Sequence, residues 1–315
     1  MLFPFTAVLP ILFWPGANTI APVLHQAGIS EIAVPPGKTD AWKNENRLKV
    51  DIVDVDKTVK LPPPGVDYHI NEASASRAPW VNSNGWRFMR QPNARFSYDV
   101  KENAVALATA EAFSFGSAAV IQTNEPGLAP LAEMLNFLSS LPSREGPTLA
   151  DIGFIDHGSD LDAEVMNLLV RENLLFIIVR APNPDLKLTV ELGSKEYSSK
   201  NPDVLEHQIR ANLDDDRRLI RIYGTSLVVA HVTGQPGKLR LHFLNYGAAR
   251  GTEVGAFRVR VLGWYDKAQL RSFDRPGVEV ADFSPGHEAT EFTIPGLKTY
   301  AIVDLTRAQS DSATH

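Results

Sequence analysis

The sequence of 315 residues contains no cysteine. Disulfide bonds, thiolate metal sites, iron–sulfur clusters and a cysteine nucleophile in this chain are therefore excluded. The sequence also lacks an excess of basic charge, because 31 Lys and Arg stand against 37 Asp and Glu, for a formal net charge of −6. A general nucleic-acid-binding protein needs a basic surface to displace phosphate counterions, so we expect no nucleic-acid partner.

Several sharp catalytic motifs are absent as well. The sequence has no G-x-S-x-G nucleophile elbow, no G-x-x-x-x-G-K-[ST] phosphate loop and no G-x-G-x-x-G after a predicted strand. Enzymes that use dinucleotides or nucleoside triphosphates are therefore disfavoured. None of the eight histidines lies in an H-x-H or H-E-x-x-H pattern. We expect neither a cofactor nor a metal site.

The sequence has no apolar run that is long enough to cross a bilayer, and its N-terminal run is ambiguous. Leu2–Phe13 has the length of a signal-peptide core, but no Lys or Arg precedes it and no clear A-x-A cleavage site follows. The alternative is that Ile11–Trp14 forms a buried first strand. A periplasmic or secreted location and a cytoplasmic one both stay open, and no membrane span is expected.

The hydrophobic pattern changes character near residue 225. Before that point, strand-like apolar runs alternate with helical patterns, and after it only strand patterns and turn residues remain. Glu31–Val34 follows a predicted strand, a helix and Gly28, which is typical of a βαβ unit with a parallel sheet. We therefore predict a fold that combines α/β and all-β parts. Residues 1–145 hold too few repeats for an eight-fold barrel, so we expect a reduced or partial (β/α) barrel there.

Residues 146–225 are predicted to form a second α/β domain, with Arg218–Tyr223 as its last strand. Residues 226–308 are predicted to form an antiparallel β-sandwich, because strands such as Lys238–Tyr246 alternate apolar and polar residues between turns. The last seven residues, 309–315, are polar and predicted to be a disordered tail.

Two Asn-Glu pairs follow runs that we predict to be strands of the parallel sheet. Asn71-Glu72 follows Val66–Ile70, and Asn124-Glu125 follows Ala118–Gln122. Reactive groups gather at the carboxyl ends of parallel strands, and glycoside hydrolysis needs two carboxyl groups that face one bond. We therefore predict Glu72 and Glu125 as catalytic residues. The alternative is that each Glu is a loop residue or a charge at a helix N-terminus.

The segment from Arg77 to Tyr98 is predicted to be a loop in which aromatic residues alternate with Arg and Asn. Aromatic rings stack on the apolar face of a sugar, while Arg and Asn form directional hydrogen bonds with hydroxyl groups. The alternative is that the aromatic residues belong to the core. The predicted substrate-binding residues are Asn71, Arg77, Trp80, Asn84, Trp86 and Arg87.

Asp156 and His157 come directly after the predicted strand Ile152–Ile155 and before a helix. A carboxylate beside a histidine in a βα loop could orient a base or bind a metal, so both residues are candidate accessory groups. No second ligand group lies at helical spacing. The alternative is that Ser159 or Asp160 caps the helix and His157 has no chemical role.

The order of these parts resembles barrel glycosidases of the β-galactosidase type. In that family a (β/α) barrel is followed by a flavodoxin-like domain related to class I glutamine amidotransferases, and then by a β-sandwich. Ala289–Leu305 is similar to the closing strands of such sandwiches, and Asn71-Glu72 best matches the family's acid/base Glu, which follows an Asn.

The resemblance implies a carbohydrate-active protein of glycoside-hydrolase type that acts on, or binds, an oligo- or polysaccharide. It also implies that residues 146–225 are flavodoxin-like, although an amidotransferase reaction through cysteine is excluded. Because residues 1–145 are too few for a complete barrel, a non-catalytic glycan-binding or structural interaction protein is the alternative. Assembly into a homo-oligomer stays open.

Overall fold

The computed structural model describes residues 8–70, 77–143 and 146–307. The chain divides into two compact units. The N-terminal unit consists of residues 6–143 and 246–252, and the C-terminal unit holds residues 144–245 and the chain from 253 onwards. The chain therefore leaves the C-terminal unit for one short segment that belongs to the N-terminal unit.

In the part of the chain that the structure describes, the N-terminal unit holds eight strands and four α-helices. The strands are β1 (Ile11–Phe13), β2 (Glu31–Val34), β3 (Lys49–Ile52), β4 (Val59–Leu61), β5 (Gly65–Ile70), β6 (Arg77–Asn82), β7 (Phe96–Asp99) and β8 (Ala119–Gln122). The helices are α1 (Ala21–Ala27), α2 (Gly85–Arg90), α3 (Glu102–Ser114) and α4 (Leu128–Ser140). As the sequence predicts, α1 ends at Gly28, whose φ of 82° is the left-handed conformation that glycine adopts without strain.

Six of these strands form one sheet in the order β3-β2-β1-β8-β7-β4, and every neighbouring pair is parallel. With β5 and β6 left aside, strands that follow one another in the sequence are paired in the sheet, except β3 and β4, and the last strand, β8, pairs with the first, β1. This is the cyclic strand order of a (β/α) barrel, with no ladder between β3 and β4 among the described residues. A doubly wound sheet would have a different order, because its second half extends away from the first strand.

The two faces of this sheet have different surroundings. Leu12 and Ile121 lie on the face that packs against the helices, in one apolar core with Leu24 and Leu131. Phe13 lies on the opposite face, which we call the inner face, in a smaller cluster of Phe13, Ala33, Val53 and Val120. Neighbouring residues alternate between the two faces because successive side chains of a strand point in opposite directions.

The run Val66–Ile70 was expected to be a strand of the parallel sheet, and this is wrong. It lies in β5, which pairs antiparallel with β6 in a separate two-stranded ribbon. Residues 71–76 join the two strands, and this connection is too short for a parallel crossover, which needs a dozen or more residues. The predicted loop from Arg77 to Tyr98 likewise contains β6, α2 and β7.

The C-terminal unit begins with a three-stranded parallel sheet in the order β10-β9-β11. Its elements are β9 (Ile152–Ile155), α5 (Asp160–Arg171), β10 (Phe176–Val179), β11 (Leu188–Glu191) and α6 (Pro202–Leu213). Asn201 caps α6 by accepting hydrogen bonds from the backbone N–H groups of Asp203 and Val204, and Pro202 occupies the first helical position.

The remaining strands form two antiparallel sheets, β12-β15-β18-β17 and β13-β14-β19-β16. They are β12 (Ile220–Tyr223), β13 (Val228–Gln235), β14 (Lys238–Asn245), β15 (Phe257–Leu262), β16 (Lys267–Ser272), β17 (Ala281–Pro285), β18 (Ala289–Ile294) and β19 (Tyr300–Thr306). The two sheets share one apolar core, to which Phe243 and Phe292 contribute. The predicted combination of α/β and antiparallel β structure is confirmed.

One strand assignment in this unit differs from the prediction. Arg218–Tyr223 was expected to end the α/β segment, but β12 pairs antiparallel with β15. Its partner lies about forty residues later in the chain, and a local apolar pattern carries no information about such a partner. The predicted domain boundaries at 145 and 225 stay predictions. Within the described ranges, no helix is long and apolar enough to cross a membrane.

Candidate functional site

A pocket of about 200 Å³ lies on the inner face of the six-stranded sheet, at the carboxyl ends of its strands. The last residues of four strands line it, namely Phe13, Leu61, Asp99 and Gln122. The other lining residues are Val55, Lys60, Ser97, Tyr98 and Val120. In barrel proteins this end of the sheet carries the active site, because loops leave the strand ends accessible.

The strand register places the polar lining residues next to one another. Asp99 of β7 is paired with Gln122 of β8, and Ser97 is paired with Lys60 of β4. Neighbouring strands lie about 4.8 Å apart, so a carboxylate and an amide stand side by side at the mouth of the pocket. The Thr58 hydroxyl donates to the Ser97 hydroxyl over 2.7 Å. The pocket thus offers both donors and acceptors beside apolar groups.

Asn71 and Glu72 lie outside the described residues. The reason for selecting Glu72 was its position at the end of a parallel strand, and that reason does not hold, because β5 belongs to the antiparallel ribbon. The catalytic role of Glu72 and the binding role of Asn71 stay predictions.

Asn124-Glu125 does follow a strand of the parallel sheet. Glu125 begins a single turn of 3-10 helix, and its side chain is exposed. The Asn124 amide donates to the carboxylate of Glu102, at the start of α3, over 2.6 Å. This hydrogen bond lowers the pKa of Glu102. Glu125 is thus free of the apolar core, at the edge where the pocket lies, and its catalytic role stays a prediction.

Three predicted sugar-binding residues lie at the start of α2, where Asn84 is buried and Trp86 and Arg87 are partly buried. Asn84 is 1% exposed. The Arg87 guanidinium stacks over the Trp86 ring, 4.2 Å from its centroid, and donates to the Asn84 side-chain oxygen over 3.2 Å. Burial lowers the pKa of Arg87. Phe88 and Phe96 are buried in edge-to-face contact, with ring centroids 4.8 Å apart, which matches the alternative interpretation of this segment.

The two remaining predicted binding residues, Arg77 and Trp80, lie in β6 of the ribbon. The side chain of Trp80 is partly buried. The binding roles of Arg77, Trp80, Asn84, Trp86 and Arg87 stay predictions.

Asn84 is bonded to a buried carboxylate that was not predicted from the sequence. Glu111 of α3 is 0% exposed. Its Oε1 accepts from the Asn84 backbone N–H (2.6 Å), the Ser83 hydroxyl (3.0 Å) and the Tyr246 hydroxyl (2.6 Å), and its Oε2 accepts from the Tyr98 hydroxyl (2.6 Å) and the Asn84 amide (3.3 Å). A buried charge requires such a set of donors to replace its lost hydration.

We call Glu111 and its four partners the Glu111 cluster. Their hydrogen bonds hold the backbone before α2, the Tyr98 side chain and the Tyr246 side chain in fixed positions. Burial and the charge of Glu111 raise the pKa of both Tyr98 and Tyr246 well above the ordinary value of 10.0, so both hydroxyls stay donors. Tyr98 also lines the pocket. A sequence signal was present, because Glu111 lies four residues after Leu107 on a helix whose neighbouring positions are mostly Ala.

Asp156 and His157 lie at the carboxyl end of β9, in the C-terminal unit. His157 Nε2 is 3.2 Å from the Glu191 carboxylate at the end of β11, and both side chains are about half exposed. The Asp156 carboxylate accepts from the backbone N–H of Gly158 over 2.9 Å.

Ser159 forms a capping box with Asp162 at the start of α5, so Ser159 is the helix cap, as the alternative had it. Across the described ranges, no group of three His, Asp or Glu could hold a metal ion. The accessory roles of Asp156 and His157 stay predictions.

No protein-family model and no curated protein sequence matches the chain. Among solved structures, alpha-L-fucosidase isoenzyme 2 from Paenibacillus thiaminolyticus is similar with a TM-score of 0.52 and 10% identity, over 80% of this chain and 65% of that one. The chain thus spans 65% of the length of the fucosidase.

Two further solved structures are similar at a lower level. A noncanonic maltogenic alpha-amylase from Thermotoga neapolitana is 10% identical over 95% of this chain and 99% of that one, with a TM-score of 0.28. A GH30 endoxylanase from Clostridium papyrosolvens C71 is 10% identical over 96% and 98%, with a TM-score of 0.25. These two TM-scores are too low to carry an argument, and none of the three structures is a β-galactosidase. The chain has a glycosidase-like fold.

Proposed function

We propose that this protein is carbohydrate-active, of glycoside-hydrolase type, and that its saccharide binds in the pocket at the carboxyl ends of β1, β4, β7 and β8. The observation that carries the proposal is the cyclic strand order, which gathers four strand ends around one polar pocket. In (β/α) barrels this end of the sheet is where substrates bind. The glycosidase-like fold supports the class of ligand. In this proposal the N-terminal unit is a reduced barrel, and the C-terminal unit combines a flavodoxin-like part with a β-sandwich.

The composition of the pocket suits a sugar. A pyranose presents hydroxyl groups that both donate and accept hydrogen bonds, and it has apolar C–H surfaces. Asp99 supplies acceptors, Lys60 supplies donors and Gln122 supplies both, while Phe13 and Val120 supply apolar contacts. Trp80 would contact the saccharide from the ribbon, and Asn71 and Arg77 are proposed as further binding residues. Asn84, Trp86 and Arg87 would act indirectly, by fixing the Glu111 cluster.

Hydrolysis requires a carboxylic acid that protonates the leaving oxygen and a carboxylate that attacks the sugar or activates water. Asp99 is the one carboxylate among the described residues that line the pocket. Glu125 lies beyond the end of the neighbouring strand β8, and Glu72 is the candidate acid/base from the sequence resemblance. Our proposal is that two of these three groups form the catalytic pair. Their separation would distinguish retention, at about 5 to 5.5 Å, from inversion, at about 6.5 to 9.5 Å.

The test is hydrolysis of a panel of aryl glycosides and polysaccharides by the full chain and four variants. The variants are Glu72→Gln, Asp99→Asn, Glu125→Gln and one control. Each variant that removes a group of the catalytic pair should lower turnover by about 10²- to 10⁴-fold. Glu133→Gln, on the exposed surface of α4, is the matched control and should retain full activity. Unchanged turnover in all three carboxylate variants would contradict the catalytic part of the proposal.

A second function is a non-catalytic glycan-binding protein. The observation that favours it is that the described pocket lining holds a single carboxylate, whereas hydrolysis needs two. This alternative predicts saccharide binding that Asp99→Asn weakens, together with no release of reducing sugar from any substrate of the panel. Measured turnover would rule it out.

A further inference from the structure

The ribbon of β5 and β6 carries a cluster of polar and aromatic side chains on one face. Asp67 is paired with Trp80 across the ladder, and Gly65 is paired with Asn82. Side chains of directly opposed residues, and of residues two apart, leave a ribbon on the same side. Asp67, Trp80 and Asn82 therefore share one face. We call these three residues and Arg250 the ribbon site.

The charged groups of the ribbon site are fixed in place. The Asn82 amide donates to one oxygen of Asp67 over 2.7 Å, and the Arg250 guanidinium donates to the other over 2.9 Å. Arg250 also donates through Nε to the carbonyl oxygen of Val66, and it lies 5.8 Å from the centroid of the Tyr68 ring. A binding group that is held in one orientation loses little entropy when a ligand arrives.

The segment that supplies Arg250 is itself held firmly. Tyr246 begins this turn and donates to the buried Glu111, and the Asn103 amide donates to the Ala249 carbonyl over 2.6 Å. The Asp67 and Arg250 side chains nevertheless remain 54% and 52% exposed. Exposed ion pairs contribute little to stability, so fold stabilisation alone does not account for this arrangement.

We propose that the ribbon site binds one unit of a neutral saccharide, and this inference rests on the proposed function. The saccharide is proposed to be neutral because Asp67 and Arg250 neutralise each other and leave no net charge to attract a uronate or an amino sugar. Hydroxyl groups of a neutral sugar donate to Asp67 and accept from Arg250 and Asn82. The accessible part of the Trp80 ring packs against the C–H face of the same sugar.

The ribbon rises from the edge of the sheet where the pocket lies. β4 ends at Leu61, which lines the pocket, and the ribbon starts at Gly65. Four residues of extended chain span at most about 14 Å. The Asn84 amide fixes this link by donating to the Pro62 carbonyl over 3.0 Å. The ligand is therefore an oligosaccharide that extends from the pocket to the ribbon, rather than a single sugar.

The experiment is calorimetric titration of the full chain with neutral hexasaccharides built from glucose, mannose or xylose, and with hexagalacturonic acid. At least one neutral hexasaccharide should bind, and added salt should leave its affinity unchanged. Trp80→Ala should weaken that affinity about tenfold, which corresponds to 1.4 kcal/mol. Asp67→Asn, an exposed and isosteric change, should also weaken it and provides a second variant that keeps the fold. Trp264→Ala is the matched control, because this exposed Trp also lies near an Arg side chain, at 5.5 Å from Arg307, in the C-terminal unit.

The variants separate this inference from the proposed function. Weaker binding in Trp80→Ala and Asp67→Asn, with Trp264→Ala unchanged, supports the ribbon site. If Asp99→Asn abolishes binding while both ribbon variants bind like the parent, saccharide binding in the pocket is supported and the ribbon site is overturned. Preferential binding of hexagalacturonic acid would overturn the proposal that the saccharide is neutral. If no saccharide binds, both proposals fail.

Discussion

Removing the carboxylate of Glu111 should destabilise the N-terminal unit more than any surface change of the same size. In Glu111→Ala the Ser83 and Tyr246 hydroxyls can still bond each other, because they lie 2.7 Å apart. The Tyr98 hydroxyl and the Asn84 backbone N–H lose their acceptor while they stay buried. Each stranded group costs about 1–3 kcal/mol, so we expect a loss of about 2–6 kcal/mol in the free energy of unfolding.

Glu111→Gln should cost less, because the volume is kept. The amide replaces one acceptor oxygen with an NH₂ group, which then faces donors on that side of the cluster. We expect a loss of about 1–3 kcal/mol, the cost of one poorly paired buried group. Glu133→Ala, on the exposed face of α4, is the control and should leave the unfolding free energy unchanged.

The assay is urea unfolding at neutral pH followed by tryptophan fluorescence. All tryptophans except Trp264 belong to the N-terminal unit, so the signal reports mainly on that unit. If Glu111→Ala unfolds at the same urea concentration and with the same slope as the parent, the cluster does not hold this unit together. Asn84 and Tyr246 would then not be positioning residues.

Two further predictions concern the C-terminal unit. Burial, together with nearby His231 and Arg240, lowers the pKa of the fully buried His242 well below its ordinary value of 6.5, so the unfolded state binds the proton more readily. The free energy of unfolding should therefore be independent of this group above about pH 6.5 and should fall below it by up to about 1.4 kcal/mol per pH unit. His242→Gln should reduce that slope in urea titrations between pH 4.5 and 7. Gly234→Ala should lower the free energy of unfolding by about 2–4 kcal/mol, because φ is +133° and a Cβ would lie 2.2 Å from the Lys238 carbonyl oxygen. Gly255→Ala is the control and should leave thermal unfolding unchanged, because the space around Gly255 is open.

The parts of the fold that could be predicted from sequence are those with a local signal. The βαβ start at Ile11–Val34 was predicted from its apolar spacing and Gly28, and strand β14 from its alternating pattern. Here the period of the hydrophobic residues and the turn residues carry enough information. The parallel or antiparallel partner of a strand is not local information, which is why β5 and β12 were placed in the wrong sheets.

In the candidate site, too, the features with a local sequence signal could be predicted, and those that join distant residues could not. The strand end before Asn124-Glu125 was predictable, since β8 is a continuous apolar run. The Glu111 cluster joins positions 83 to 246, and Arg250 reaches Asp67 from 183 residues away in the sequence. No spacing rule connects residues that far apart. The one local signal was a carboxylate within an Ala-rich helix, which marks a charge that must find buried partners.

In our proposal, a saccharide binds at the carboxyl ends of the parallel strands. The most direct measurement is a crystal structure of the chain soaked with the hexasaccharide that binds most tightly in calorimetry. We expect sugar density in the pocket, within hydrogen-bond distance of Asp99 and Gln122. Density confined to the C-terminal unit, with the pocket free of sugar, would contradict it.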